Sequence, residues 1–165
     1  MDPDQADAQG GVWKDFLPKS MKWYGPDRHY WFRADYQVPG ELEGQELRLH
    51  VKTQIEEWDD GKNPQFLLFV NGEITQGLDM NHRIVQMTEQ ARPKEQWRLD
   101  LQAYTGTLHS EFDMIIEMLQ VCPRIEKLYY DLLVPLQAFS RMDKEDKVRM
   151  DLESVLNEAV NLLDL

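Results

Sequence analysis

The stretch from Gln65 to Val85, QFLLFVNGEITQGLDMNHRIV, constrains the fold more than any other part of the chain. It opens on a dense apolar run, Phe66 to Val70, turns at Asn71-Gly72, and continues as a shorter strand-like segment to Gln76. Asn-Gly between two such runs marks a tight hairpin, because both central residues of a type I′ turn need positive φ. Gly77 is expected to end the second strand and Leu78 to His82 to form a polar loop, with an extended pattern resuming at Arg83. A strand as apolar as the first must be covered on both faces or lie inside a sheet. The remaining segments are therefore expected to pack around it.

The flanking sequence supplies those segments. From His29 to Val38 the chain alternates, with Tyr30, Phe32, Ala34, Tyr36 and Val38 on one face and His29, Trp31, Arg33, Asp35 and Gln37 on the other. Such period-two alternation predicts a half-buried strand. Glu46 to Ile55 repeats it, with Leu47, Leu49, Val51, Thr53 and Ile55 inward, and Gln96 to Ala103 does so again, with Trp97, Leu99, Leu101 and Ala103 inward. Met21 to Tyr24 reads as a short edge strand, Arg83 to Thr88 as a further short strand, and Phe112 to Val121 as the last. Tyr and Trp on these strands read as core before they read as a sugar-stacking platform.

After Pro123 the period changes. Ile125, Leu128, Tyr129, Leu132, Leu136 and Phe139 recur at helical spacing, with Pro123 suited to the first helical position and Pro135 placed to kink the helix. Asp143 is available to cap a second helix, striped by Val148, Leu152, Val155, Leu156, Ala159 and Leu162. About eight strands followed by two helices predict a mainly β fold, a β-sandwich followed by a helical hairpin, rather than alternating βαβ units. The division expected is a disordered segment over 1–11, a sandwich over 12–122 and the hairpin over 123–165. The apolar ending Leu162-Leu163-Asp164-Leu165 leads us to expect that the natural chain continues.

Composition narrows the function classes. A net charge of −12, spread along the chain, disfavours non-specific binding to nucleic acid or an anionic membrane. One cysteine, Cys122, leaves no intramolecular disulfide framework, and the first eleven residues have neither the basic start nor the apolar core of a signal peptide. No apolar run has the ~20 residues of a membrane span. A soluble, cytoplasmic protein is expected.

Chemistry-bearing motifs are sparse. His29, His50, His82 and His109 lack the spacing of a zinc site. Glu56, Glu57, Asp59 and Asp60 occur with Gly61 and Asn63, an arrangement that could hold Ca²⁺ or pair carboxylates, but without the full EF-hand spacing it reads as a solvated acidic loop. Nucleophile-elbow, P-loop and dinucleotide fingerprints are missing from the sequence. The loop residues Gln76, Asp79, Asn81 and His82 gather hydrogen-bonding groups beside the most apolar strand and form the candidate functional surface, with a self-satisfied loop as its plain alternative. Leu152, Val155, Leu156, Leu162 and Leu163 form the candidate interface, through which self-association is also expected.

Several motifs occur together in a telling order: Trp31-Phe32-Arg33, Gly44 to Leu49 (GQELRL), Val70 to Asp79 (VNGEITQGLD), Asn81-His82, Leu128-Tyr129-Tyr130-Asp131 and Asn161-Leu162-Leu163-Asp164. From about residue 12 to 165 the chain resembles the N-terminal domain of glycoside hydrolase family 38 α-mannosidases of the cytosolic and bacterial type. The resemblance implies a galactose-binding-like jelly roll preceding a separate α/β catalytic domain. That domain would carry zinc and an aspartate nucleophile, starting at a Gly-His-x-His-x-Asp motif. Neither His-x-His nor His-x-Asp occurs in these 165 residues, so no catalytic or metal residue has a position here. The implied role is structural, in assembly or substrate access, with the rest of the enzyme chain as partner and no cofactor in this segment. The alternative is a jelly-roll module that binds mannose-containing glycans by itself.

Overall fold

The computed structural model describes residues 3–4, 12–18, 20–53 and 62–162. The expectations for most of 1–11, for the acidic loop over 54–61 and for Leu163 lie outside the described residues. The chain divides into two compact units, Met1–Gln120 and Val121–Leu165.

The first unit is a β-sandwich. Its strands are β1 (Trp23–Tyr24), β2 (His29–Gln37), β3 (Glu46–Lys52), β4 (Gln65–Val70), β5 (Glu73–Leu78), β6 (Ile84–Thr88), β7 (Gln96–Tyr104), β8 (Glu111–Phe112) and β9 (Ile115–Val121). A four-stranded sheet in the order β2-β7-β4-β5 opposes a three-stranded sheet in the order β6-β3-β9, and β1 pairs with β8. Leu47, Leu49, Val51 and Val85 from one sheet meet Phe66, Leu68, Leu78, Trp97, Leu99, Leu101 and Ala103 from the other in one buried cluster. Period-two alternation is what puts each of these sets on a single face. Trp23 closes one end of the core, its ring centroid 4.7 Å from Phe112 and 5.2 Å from Phe32, while its indole N–H donates to the Asp113 carbonyl at 3.1 Å.

The organising hairpin forms as the sequence dictates, with one change. Asn71 and Gly72 both take positive φ, 54° and 88°. Asn71 also ties the turn to β7, its amide donating to the Arg98 carbonyl and its side-chain oxygen accepting from the Arg98 amide, each at 2.9 Å. Gly77 does not end the second strand: it pairs with Leu67, and β5 continues to Leu78, which is buried. The register shifts between Leu68 and Phe69, so Leu68 faces Gln76 while Phe69 faces Ile74. This bulge absorbs the extra residue and lets Leu78 reach the core. The region from Phe112 to Val121 likewise differs from a single strand. Phe112 pairs with Trp23 in β8, the buried Asp113 and Met114 follow, and β9 starts at Ile115 beside β3.

The second unit holds α1 (Pro123–Arg141) and α2 (Lys147–Asn161). Helix α1 continues through Pro135 without a break. The cap of α2 is Asp146 and not Asp143: the Asp146 carboxylate accepts from the Val148 amide at 2.8 Å, while the Asp143 carbonyl accepts from the Asp146 amide in the preceding turn. No helix among the described residues is long and apolar enough to cross a membrane.

Candidate functional site

The β5–β6 loop is built around one carboxylate oxygen. Asp79 Oδ1 accepts from the backbone amides of Asn81 and His82, both at 2.8 Å, and lies 3.0 Å from His82 Nδ1. An ionised carboxylate has no proton to give, so Nδ1 carries the hydrogen and Nε2 of a neutral His82 is left as an acceptor. Partial burial alone would raise the Asp79 carboxyl; the hydrogen bonds from His82 and Asn81 outweigh it and hold the group below its ordinary value. Asp79, Asn81 and His82 therefore form one closed Asx-type unit. Gln76 stands apart from it, its side-chain amide donating to the Ile84 carbonyl at 3.4 Å and linking the edges of the two sheets.

The other histidines are dispersed. His29 packs on Tyr104 with ring centroids 5.0 Å apart, His109 lies edge-on to Tyr24, and His50 Nδ1 is 3.9 Å from Glu117. Burial, then the Lys52 charge, holds the His50 imidazole below its ordinary value against the opposing pull of Glu117. Among the described residues no group of three or more His, Cys, Asp or Glu side chains is placed to hold a metal ion.

The candidate interface residues divide. Leu152 and Leu156 are half-buried on α2, while Val155 and Leu162 are exposed. The helices are joined near their connecting turn, where the Arg149 guanidinium lies 4.1 Å from the centroid of the Phe139 ring and donates to the Met142 carbonyl at 3.0 Å.

A second surface was not legible as such in the sequence: the outer face of the four-stranded sheet. One half of it is closed. Asp100 is fully buried there, accepting from Arg33 Nε at 2.5 Å and Arg98 Nε at 2.9 Å. The Arg33 guanidinium stacks 4.6 Å from the Trp13 ring centroid, and Trp31 covers Phe69 at 5.6 Å. The other half is open. A concavity of about 230 Å³ lies there, lined by His29, Gln65, Leu67, Gln102 and Tyr104 together with Phe66 and Ala103. The Tyr104 hydroxyl donates to Asp27 at 3.1 Å, and desolvation, then that bond and the Asp27 charge, push its phenol above the ordinary value. Strand register alone could have found this surface, since it aligns His29 with Tyr104 and Gln65, and Trp31 with Gln102 and Leu67.

No family model and no curated protein matches the chain.

Proposed function

We propose that this chain is a non-catalytic domain of an α-mannosidase, acting in assembly or substrate access for a catalytic domain that hydrolyses terminal α-mannosyl residues. The ordered motifs from Trp31 to Asp164 support the reading. The structural observation that carries it is the helical hairpin: both helices are amphipathic, yet neither contains a buried residue among those described. Ile125, Val134 and Leu136 on α1 and Val148, Val155 and Leu162 beside or on α2 are all exposed. Burying one Leu or Val side chain is worth about 1.5–3 kcal/mol, so a docked catalytic domain gains substantially by covering such a stripe.

The test is to mix the chain with a separately expressed family 38 catalytic domain and follow complex formation by size exclusion with light scattering. A stoichiometric complex that is lost with Val155→Glu plus Leu162→Glu is the expected result. The chain alone should not turn over an aryl α-mannoside, with or without added zinc. Failure to form any complex, or zinc-dependent turnover that tracks mutations in this chain, would overturn the reading.

A second reading is favoured by the open concavity on the four-stranded sheet. A partly aromatic, amide-lined hollow free of Lys, Arg, Asp and Glu suits a glycan-binding module.

A further inference from the structure

We infer that the concavity formed by His29, Gln65, Leu67, Gln102 and Tyr104 is a binding site for one neutral pyranose ring, the terminal residue of a glycan. The inference rests on the glycan-binding reading and gives it a location. Its first support is the absence of charge in the lining: none of these five side chains is Lys, Arg, Asp or Glu. A phosphorylated or carboxylated ligand would find no lysine or arginine there, whereas a sugar needs none.

The second support is the unspent hydrogen-bonding capacity of Gln65 and Gln102. Neither side-chain amide has a hydrogen-bond partner among the described residues, in contrast to Gln76, Gln86 and Gln120. Each amide offers a carbonyl acceptor and two N–H donors. Vicinal ring hydroxyls, which both donate and accept, match that pairing. Register places the two amides one row apart, Gln65 beside Tyr104 and Gln102 beside Leu67.

The third support is a fixed apolar platform. Tyr104 is braced on one side by the His29 ring and at its tip by Asp27. Leu67 continues the apolar surface, and its partner on β5 is Gly77, which has no side chain to close the hollow from that edge. A pyranose presents a C–H face to such a surface and its hydroxyls to the amides, the division of labour that small-molecule sites use. At about 230 Å³ the hollow is smaller than the roughly 300–1,000 Å³ of sites for larger ligands, which favours one ring over a chain.

The experiment is a titration of the isotopically labelled chain with methyl α-D-mannopyranoside, methyl α-D-glucopyranoside and methyl β-D-galactopyranoside through the millimolar range, read by amide NMR. At least one should give saturable shifts centred on the Gln65 and Gln102 side-chain amides. Gln65→Ala with Gln102→Ala should weaken that binding about tenfold, as expected for losing two ordinary hydrogen bonds. Gln65→Ala alone, at an exposed position, guards against a folding defect and should produce part of the loss. Saturable binding with shifts elsewhere and no response to these variants would overturn this site while leaving the glycan reading in place. Silence with all three glycosides would overturn both.

Discussion

The sandwich and the helical hairpin solve the burial problem in opposite ways. Every buried apolar side chain among the described residues belongs to the first unit, Trp23, Leu101 and Ile115 among them. Two facing sheets cover one another, and each inward residue gains contacts from both. The hairpin has comparable apolar content along its stripes but no second layer within its own unit. Two antiparallel helices can hide one strip each; Leu152, Leu156 and Phe139 are half-covered, while Ile125, Val134, Val155 and Leu162 remain exposed. The lesson is that amphipathic periodicity establishes that a helix needs a partner, without saying which body provides it.

The comparison breaks first if the core does not dominate stability. Leu101→Ala, at a fully buried site between the sheets, should cost about 2–5 kcal/mol by chemical denaturation. Val155→Glu with Leu162→Glu should change the same midpoint by less than about 0.5 kcal/mol per site. Equal effects would mean that the hairpin and the sandwich share one core.

Asp100 tests the closed half of the outer sheet face. Asp100→Ala leaves Arg33 and Arg98 facing an emptied site; since both arginines retain some exposure, a loss of about 2–4 kcal/mol is expected, below the cost of stranding fully buried charges. A variant as stable as the parent would show that solvent already screens the pair. Next comes the turn. Gly72→Val forces a β-branched residue to φ 88° and should cost about 1–3 kcal/mol in the same assay.

How much of this was readable beforehand depends on which interactions are local. The inward faces of β2, β3 and β7 and the positive-φ turn at Asn71-Gly72 follow from alternation and turn chemistry within a few residues. The continuation of β5 through Gly77 does not, because it is decided by the bulge opposite Leu68 and Phe69 and by the room for Leu78 in the core. Asp100 sits at an outward position by alternation and is buried only because β2 aligns Arg33 with it and β4 aligns Phe69. The Asp79 loop was legible as a cluster, since Asx residues bond their own backbone, but the proton on His82 Nδ1 needed the geometry. Asp146 displaced Asp143 as the cap because a turn intervenes before α2 starts at Lys147.

The smaller effects sharpen the comparison at its edges. The hairpin should drive self-association of the chain at high concentration, seen as a rising apparent mass by light scattering and removed by Val155→Glu with Leu162→Glu; a monomer throughout would mean the stripes are not adhesive. Asp79 should respond least. Its folded carboxyl is held below the unfolded value of about 3.9, so the stability it contributes is complete above that value and is lost as pH falls through the folded one. In an NMR titration its midpoint should move up in His82→Ala, which removes the ring donor, and an unmoved midpoint would leave the backbone amides as the whole cause.

The proposal that the hairpin docks a catalytic domain beside a self-contained sandwich is tested most directly by hydrogen exchange on the chain alone and mixed with a family 38 catalytic domain. The account predicts that amides of β4 and β7 are strongly protected and unchanged on mixing, while those of α1 and α2 exchange readily in the free chain and gain protection in the mixture. Hairpin amides as protected as β7 in the free chain, or unaltered by the added domain, would contradict it.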